Sequence, residues 1–159
     1  SLLILPTSLV YNWQKEADKF APQLRILLHT GSNRVKDAYA FTHFDLIITT
    51  YGIIRSDEQL LSTFFFNYII LDESQNIKNP TSKSFKAIKL LKSRHKLALS
   101  GTPIENSVAD IWSQMHFTNP GLLGSYTYFQ KEFVAPIEKK KDEDKARRLL
   151  SIIKPFVKT

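Results

Sequence analysis

Apolar residues in this chain fall into short runs, separated by polar turns and by longer stretches with helical spacing. That alternation predicts an α/β domain built on a parallel sheet. Leu2-Leu3-Ile4-Leu5, Leu24 to Leu28, Phe44 to Thr49, Tyr68 to Leu71 and Lys96 to Leu99 read as strands. A run without polar alternation, such as Tyr68-Ile69-Ile70-Leu71, predicts a strand buried on both faces. Pro6 lacks a backbone donor and ends the first strand. Leu9, Trp13, Ala17 and Phe20 then recur at helical spacing, and Thr7 or Ser8 is positioned to cap that helix. Residues 33–41 predict a helix, and residues 53–67 a short helix with a loop in which Phe64-Phe65-Phe66 belongs to the core. Pro80 or Thr81 opens a further helix reaching Lys92, with Ala87, Ile88 and Leu91 inward.

Beyond residue 106 the alternation stops. Val108, Ile111, Trp112 and Met115 mark one helix, and Tyr126, Phe129 and Phe133 another that Pro136 is expected to end. Ala146, Leu149, Leu150 and Ile153 mark a last one. This pattern places an α/β lobe at 1–106 and an all-helical extension at 107–159.

A length of 159 residues with 43% hydrophobic content suits one domain with a substantial core. The chain opens without methionine inside an apolar run, so it reads as a piece of something longer. No apolar run is long enough to span a bilayer, and no signal peptide is evident. With no cysteine, disulfides and thiolate metal sites are excluded and an intracellular location is expected. The net charge of +7 is uneven. Lys78 to Lys96 holds seven basic residues and no acid, and Pro136 to Thr159 holds eight basic against four acidic. Such faces favour phosphate polyanions or are simply solvated.

Candidate chemistry sits where strands end. Tyr68 to Leu71 delivers Asp72 and Glu73 to the carboxyl edge of the sheet, where ligands of open α/β folds bind. Taken alone, this is either an ordinary acidic turn or a pair of hard oxygen ligands for a metal-bound phosphate. Three other strands end in hydroxyl residues: Thr7-Ser8, Thr49-Thr50 and Ser100-Gly101-Thr102. His29, His43, His95 and His116 show no zinc spacing, and no nucleophile elbow occurs. Phosphate chemistry fits this layout, with one acid holding magnesium through water and the other polarising the attacking water.

Four stretches carry a resemblance. Leu3 to Trp13 with Glu16, Ile48-Thr49-Thr50-Tyr51, Asp72 to Asn79 (Asp-Glu-Ser-Gln-Asn-Ile-Lys-Asn), and Leu99 to Asn106 resemble, in order, motifs of the Swi/Snf-type ATPases of helicase superfamily 2. The likeness continues through Asn119-Pro120-Gly121 to Pro155-Phe156, and the compact extension suggests a prokaryotic member. The resemblance implies a three-layer, RecA-like lobe of the P-loop NTPase type, incomplete at its N-terminus, with a helical protrusion. It also implies ATP and magnesium as cofactors, and double-stranded DNA and a second RecA-like lobe as partners. Carried over by motif, Asp72 holds magnesium, Glu73 activates water and Gln75 senses the nucleotide. Ser100, Gly101 and Thr102 couple the ATP and DNA sites, while Thr7, Ser8, Thr50, Asn12 and Trp13 lie against DNA.

Two departures stand out. Ser74 occupies a position where the family usually has alanine or glycine. No Gly-rich loop with a Lys-Ser or Lys-Thr pair occurs, and in the family that loop precedes Pro6-Thr7. The parent is therefore expected to be a DNA-dependent ATPase that moves on or remodels protein–DNA complexes, DNA-bound proteins or RNA polymerase being candidate targets. The isolated piece is expected to be inactive. Location would be the cytoplasm, at the nucleoid, in a prokaryote and the nucleus in a eukaryote. A non-catalytic nucleic-acid or protein-binding module that kept the fold is the alternative. A restriction or RNA-directed helicase motor is a third reading, against which stands the Asn-Ile-Lys-Asn-Pro run.

Overall fold

The computed structural model describes residues 1–101 and 107–158. Five parallel strands form its sheet: β1 (Leu2–Leu5), β2 (Ile26–Leu28), β3 (Leu46–Thr50), β4 (Phe65–Leu71) and β5 (Lys92–Ala98), ordered β2-β3-β1-β4-β5. Central β1 is buried along its whole length because strands flank both its edges and side chains cover both its faces. On one face Leu3, Leu5 and Ile48 meet Leu9, Val10 and Trp13, which belong to or lead into helix α1 (Val10–Phe20). On the other, Leu2, Ile4, Ile47, Ile69 and Leu71 meet α2 (Tyr51–Ser56), α3 (Glu58–Ser62) and α4 (Lys83–Leu90) through Ile54, Leu61, Phe85, Ala87 and Ile88. The expected three-layer α/β architecture is what forms.

Helix α5 (Val108–Thr118) extends this second core with Ile111, Trp112, Met115 and Phe117. It is followed by α6 (Tyr126–Phe129), a π-helical stretch (Gln130–Lys139) and α7 (Glu143–Ile153), whose Phe129, Phe133, Leu149 and Ile153 join the same cluster. Leu150, expected inward, is exposed.

Several local expectations give way to tertiary context. Strand β5 starts at Lys92 rather than Lys96. Its first residues are polar because it is an edge strand with one open face, and its pairing with β4 holds the same register from Phe65–Lys92 to Leu71–Ala98. Tyr68, on interior strand β4, is 39% exposed beside His95 of β5, while Ile69 and Leu71 are buried. Of the three phenylalanines, Phe66 is core, Phe64 packs beside it and Phe65 faces solvent, as strand alternation requires. Helix α4 ends at Leu90, short of Lys92, since the chain must turn into β5. Phe20 closes α1 in solvent, under the Lys19 ammonium. Pro136 does not end its helix. It lies inside the π-helical stretch, where the wider hydrogen-bond pattern accommodates a residue without a donor.

Residues 33–41 form no long helix, only a 3-10 turn (Ala38–His43) opened by Asp37, whose carboxylate accepts from the Tyr39 amide. The preceding loop is pinned instead by charge. Arg34 donates twice to Asp57, at 2.5 and 2.7 Å, and also to the Gly31 carbonyl. Asp57 is bonded as well to the fully buried His29, whose Nε2 lies 2.8 Å from it. The ring meets Phe41 edge-on, and its Nδ1 has no partner.

Burial pushes the His29 imidazole below its ordinary value, against the opposing pull of Asp57. The folded state therefore binds fewer protons than the unfolded chain below about pH 6.5, and stability present above that pH is lost as pH falls. His116, pushed down by burial and by Lys89 and Lys96, acts with the same sign. Replacing His29 with Gln should flatten, without abolishing, the loss of stability between about pH 7 and pH 5. Urea melts across that range check it; an unchanged pH slope would exonerate His29.

Candidate active site at the carboxyl ends of the strands

Parallel pairing brings the ends of β1, β3, β4 and β5 to one edge. Because Ile4 lies opposite Leu71, and Leu71 opposite Ala98, the residues after each are neighbours. The Asp72 amide donates to the Ile4 carbonyl at 2.8 Å, and the Ser74 amide to the Leu99 carbonyl at 2.9 Å. The chain thus leaves β4 stitched on both sides.

Glu73 makes the turn possible by adopting a left-handed backbone, φ 50° and ψ 53°. For a residue with a Cβ this costs roughly 1–2 kcal/mol, which surrounding bonds offset. Its amide donates to Asp72 Oδ1 at 2.9 Å, and its carbonyl accepts from the Asn76 amide and side chain. Buried Tyr51, at the start of α2, donates its hydroxyl to the Asp72 carbonyl at 2.7 Å. Desolvation, reinforced by the charges of Asp72 and Glu73, pushes that phenol upward, so it stays protonated and remains a donor.

The side chains form a continuous polar row. Trp13 Nε1 donates to Asp72 Oδ2 at 2.6 Å. Gln75 Nε2 donates to Glu73 Oε2, and Ser100 Oγ donates to Gln75 Oε1 at 3.0 Å. Asp72, Glu73, Gln75 and Ser100 are therefore brought together, and Gly101 follows on the same edge. Beside Asp72 opens a cavity of about 670 Å³ whose lining includes Lys96, Ser100, Gly101, Gln114 and Met115. Thr102 lies outside the described residues.

The residues expected to face DNA divide. Thr7, Ser8 and Asn12 are exposed at the start of the α1 segment. Neither hydroxyl caps the helix: Thr7–Leu9 is a 3-10 turn entered from Pro6 without a side-chain cap. Thr50 is buried, and its hydroxyl caps α2 by accepting from the Ile53 amide at 3.3 Å. Trp13 turns its ring onto the sheet and its N–H to Asp72.

Three contributors were not assigned from sequence. Tyr51 lies inside a recognised stretch but carried no role. Gln114 accepts the buried Ser74 hydroxyl at 2.6 Å, and Ser113 donates to the Lys78 carbonyl at 2.8 Å, which fastens α5 to the turn after β4. The one sequence signal was Ser74 itself, a polar residue at a buried position that demands a partner.

Among the described residues no cluster of three or more His, Cys, Asp or Glu could hold a metal. Asp72 nevertheless suits magnesium, which keeps its waters and needs only one or two protein carboxylates beside substrate phosphates. An ionised carboxylate has about four acceptor positions; Trp13 and the Glu73 amide occupy two, leaving capacity for a hydrated cation.

A family profile described as SNF2-related domain matches residues 1–158. The putative ATP-dependent helicase/translocase YwqA of Bacillus subtilis is 45% identical over 159 residues, covering 98% of this chain and 17% of that protein. The TATA-binding protein-associated factor mot1 of Schizosaccharomyces pombe is 40% identical over 144 residues, covering 89% and 7%. Among solved structures, the Sulfolobus solfataricus SWI2/SNF2 ATPase core in complex with dsDNA superposes with a TM-score of 0.91 at 47% identity, covering 99% of this chain and 33% of that one. A second structure, of that organism's SWI2/SNF2 ATPase core domain, gives 0.85 at 48%. The chain thus spans a minor part of each relative.

The Ser74–Gln114 bond supplies a stability test. Gln114→Leu leaves a buried hydroxyl without its acceptor and should cost about 1–3 kcal/mol, whereas the double change Ser74→Ala, Gln114→Leu should recover most of it. Urea denaturation of the two variants decides; equal losses in both would mean the bond itself contributes little.

Proposed function

The chain belongs to the SNF2-related family, and on that footing we propose that it forms part of the first lobe of an ATP-driven motor acting on duplex DNA. The observation that carries this reading is the row Asp72–Glu73–Gln75–Ser100. It sets two acids at the end of β4 and ties them to the end of β5. In the proposed division of labour residues 1–106 are the lobe and 107–159 a helical protrusion fastened to it through Ser74–Gln114 and Ser113–Lys78.

Asp72 would hold magnesium, through water, and Glu73 would accept a proton from the water that attacks the terminal phosphate. Magnesium, when bound with ATP, neutralises charge developing on the phosphates. Gln75 grips Glu73 on one side and meets Ser100 on the other, so a change at the nucleotide reaches the Ser100-Gly101-Thr102 segment. Exposed Thr7, Ser8 and Asn12 meet the DNA backbone, contacts that position without reading sequence. Thr50 supports this edge by capping α2.

A Gly-rich phosphate loop and a second lobe come from elsewhere in the polypeptide. The edge position of β5 and the cavity beside Asp72 leave room there for further chain. Two named relatives favour the reading: YwqA is described as a putative ATP-dependent helicase/translocase, and the archaeal core was solved with dsDNA. Mot1, described as associated with the TATA-binding protein, points to DNA-bound proteins as what the motor displaces. A motor on duplex DNA acts at the nucleoid or in the nucleus; among the described residues no helix is long and apolar enough to cross a membrane.

In the complete protein, Glu73→Gln should retain nucleotide binding within a few-fold and lower hydrolysis by about 100-fold or more. Hydrolysis near the wild-type rate would remove Glu73 from its role. Residues 1–159 alone should turn over no ATP and bind duplex DNA weakly, with affinity falling steeply as salt rises. Turnover by the isolated chain would overturn the proposed need for a phosphate loop from outside it.

A further inference from the structure

We propose that Trp13 positions the Asp72 carboxylate, its indole N–H locking the acid and tying it to the helix whose start faces DNA; the inference rests on Asp72 being the magnesium-holding acid proposed above. The motif resemblance places Trp13 on the DNA side. The geometry places it elsewhere. Its ring lies in the smaller core on the α1 face of the sheet, among Leu3, Leu5, Ile48 and Ile70. Trp13 is half-buried, and its indole N–H meets Asp72 Oδ2 at 2.6 Å, across 59 residues of sequence.

The indole N–H is a donor and nothing else, so it cannot rotate into an acceptor as a hydroxyl could. Donated to an ionised carboxylate, it makes a short, charge-assisted bond. The Glu73 amide fixes Oδ1 at 2.9 Å while Trp13 fixes Oδ2, so both carboxylate oxygens are held and the plane of the group is set. The two donors arrive from different supports. One is the strained backbone at Glu73, and the other is a packed aromatic on α1. Remaining acceptor positions then face the site, which is the work that partners of metal-ligating groups do.

Helix α1 gives the bond its wider meaning. Trp13 sits one residue from exposed Asn12, and the helix follows directly on Thr7 and Ser8. A shift of this segment moves the donor that holds the acid. No other side-chain hydrogen bond among the described residues joins α1 to the end of β4.

The test uses the complete protein with a non-hydrolysable nucleotide and Mn²⁺ as an EPR-visible probe. Trp13→Phe keeps the ring and removes the donor. Mn²⁺ affinity should fall on the order of tenfold, while duplex-DNA affinity at fixed salt, measured without nucleotide or metal, stays within about twofold of wild type, since the bond removed is to Asp72 and Thr7, Ser8 and Asn12 are left in place. In hydrolysis assays the magnesium needed for half-maximal rate should rise in parallel. Unchanged Mn²⁺ affinity with weakened DNA binding would overturn the inference and return Trp13 to the DNA surface. Unchanged values for both would show that the bond positions nothing. Should Trp13→Phe lose the fold in a thermal melt, benzothienylalanine at position 13 replaces only the N–H with sulfur and gives the same test. Asp72→Asn separates the two levels of argument. If it keeps wild-type Mn²⁺ affinity, the assignment of Asp72 fails; if it loses affinity and the Trp13 variant does not, only the positioning role fails.

Discussion

The register of β4 between β1 and β5 is the constraint from which the rest follows. Ile4 opposite Leu71 and Leu71 opposite Ala98 bring the strand ends to one level, so that Leu5, Asp72 and Leu99 lie side by side. A slip of one residue would send every side chain of the strand to the opposite face. Buried Ile69 and Leu71 would exchange with Tyr68 and Ile70, and Asp72 would lose both its backbone bond to Ile4 and its side-chain bond to Trp13. The apolar core on the α2–α4 side, where Leu2, Ile4, Ile69 and Leu71 meet, is what prevents that slip.

Polar groups then do what apolar packing cannot, which is to fix direction. Tyr51 reaches the Asp72 carbonyl, Asn76 reaches the Glu73 carbonyl, and Gln75 spans Glu73 and Ser100. The Tyr51 and Ser100 links join elements that also pack together, so orientation at the strand ends is inherited from the core. Ser74 extends the same logic into the helical part, its hydroxyl bonded to Gln114 on α5. An alanine there would pack as well and hold nothing.

How far all this was readable depended on where each signal resides. The strands β1 and β3, and the acidic end of β4, are legible because fully or largely buried strands need unbroken apolar runs. The polar half of β5 is not, since an edge strand is held by its neighbour's backbone and its side chains are free to be Lys92, Ser93 and Arg94. The stretch at 33–41 misled for a related reason: Arg34 is committed to Asp57, a partner that no local pattern reveals. Asp72, Glu73, Gln75 and Ser100, singled out by motif order, are drawn into one bonded row. Tyr51 and Gln114 were not singled out, because their value lies in contacts made across 21 and 40 residues of sequence.

The left-handed turn at Glu73 has a consequence for how this sequence can vary. Glycine adopts such a conformation without steric penalty, at the cost of greater freedom in the unfolded chain. Selection for stability alone would therefore exert no pressure to keep a glutamate there, and on balance would drift toward glycine or asparagine. A glutamate in this conformation runs against the local preference of the backbone, and what its side chain adds is a carboxylate bonded by Gln75. A glycine at position 73 would relax this backbone and at the same time remove the carboxylate that Gln75 bonds.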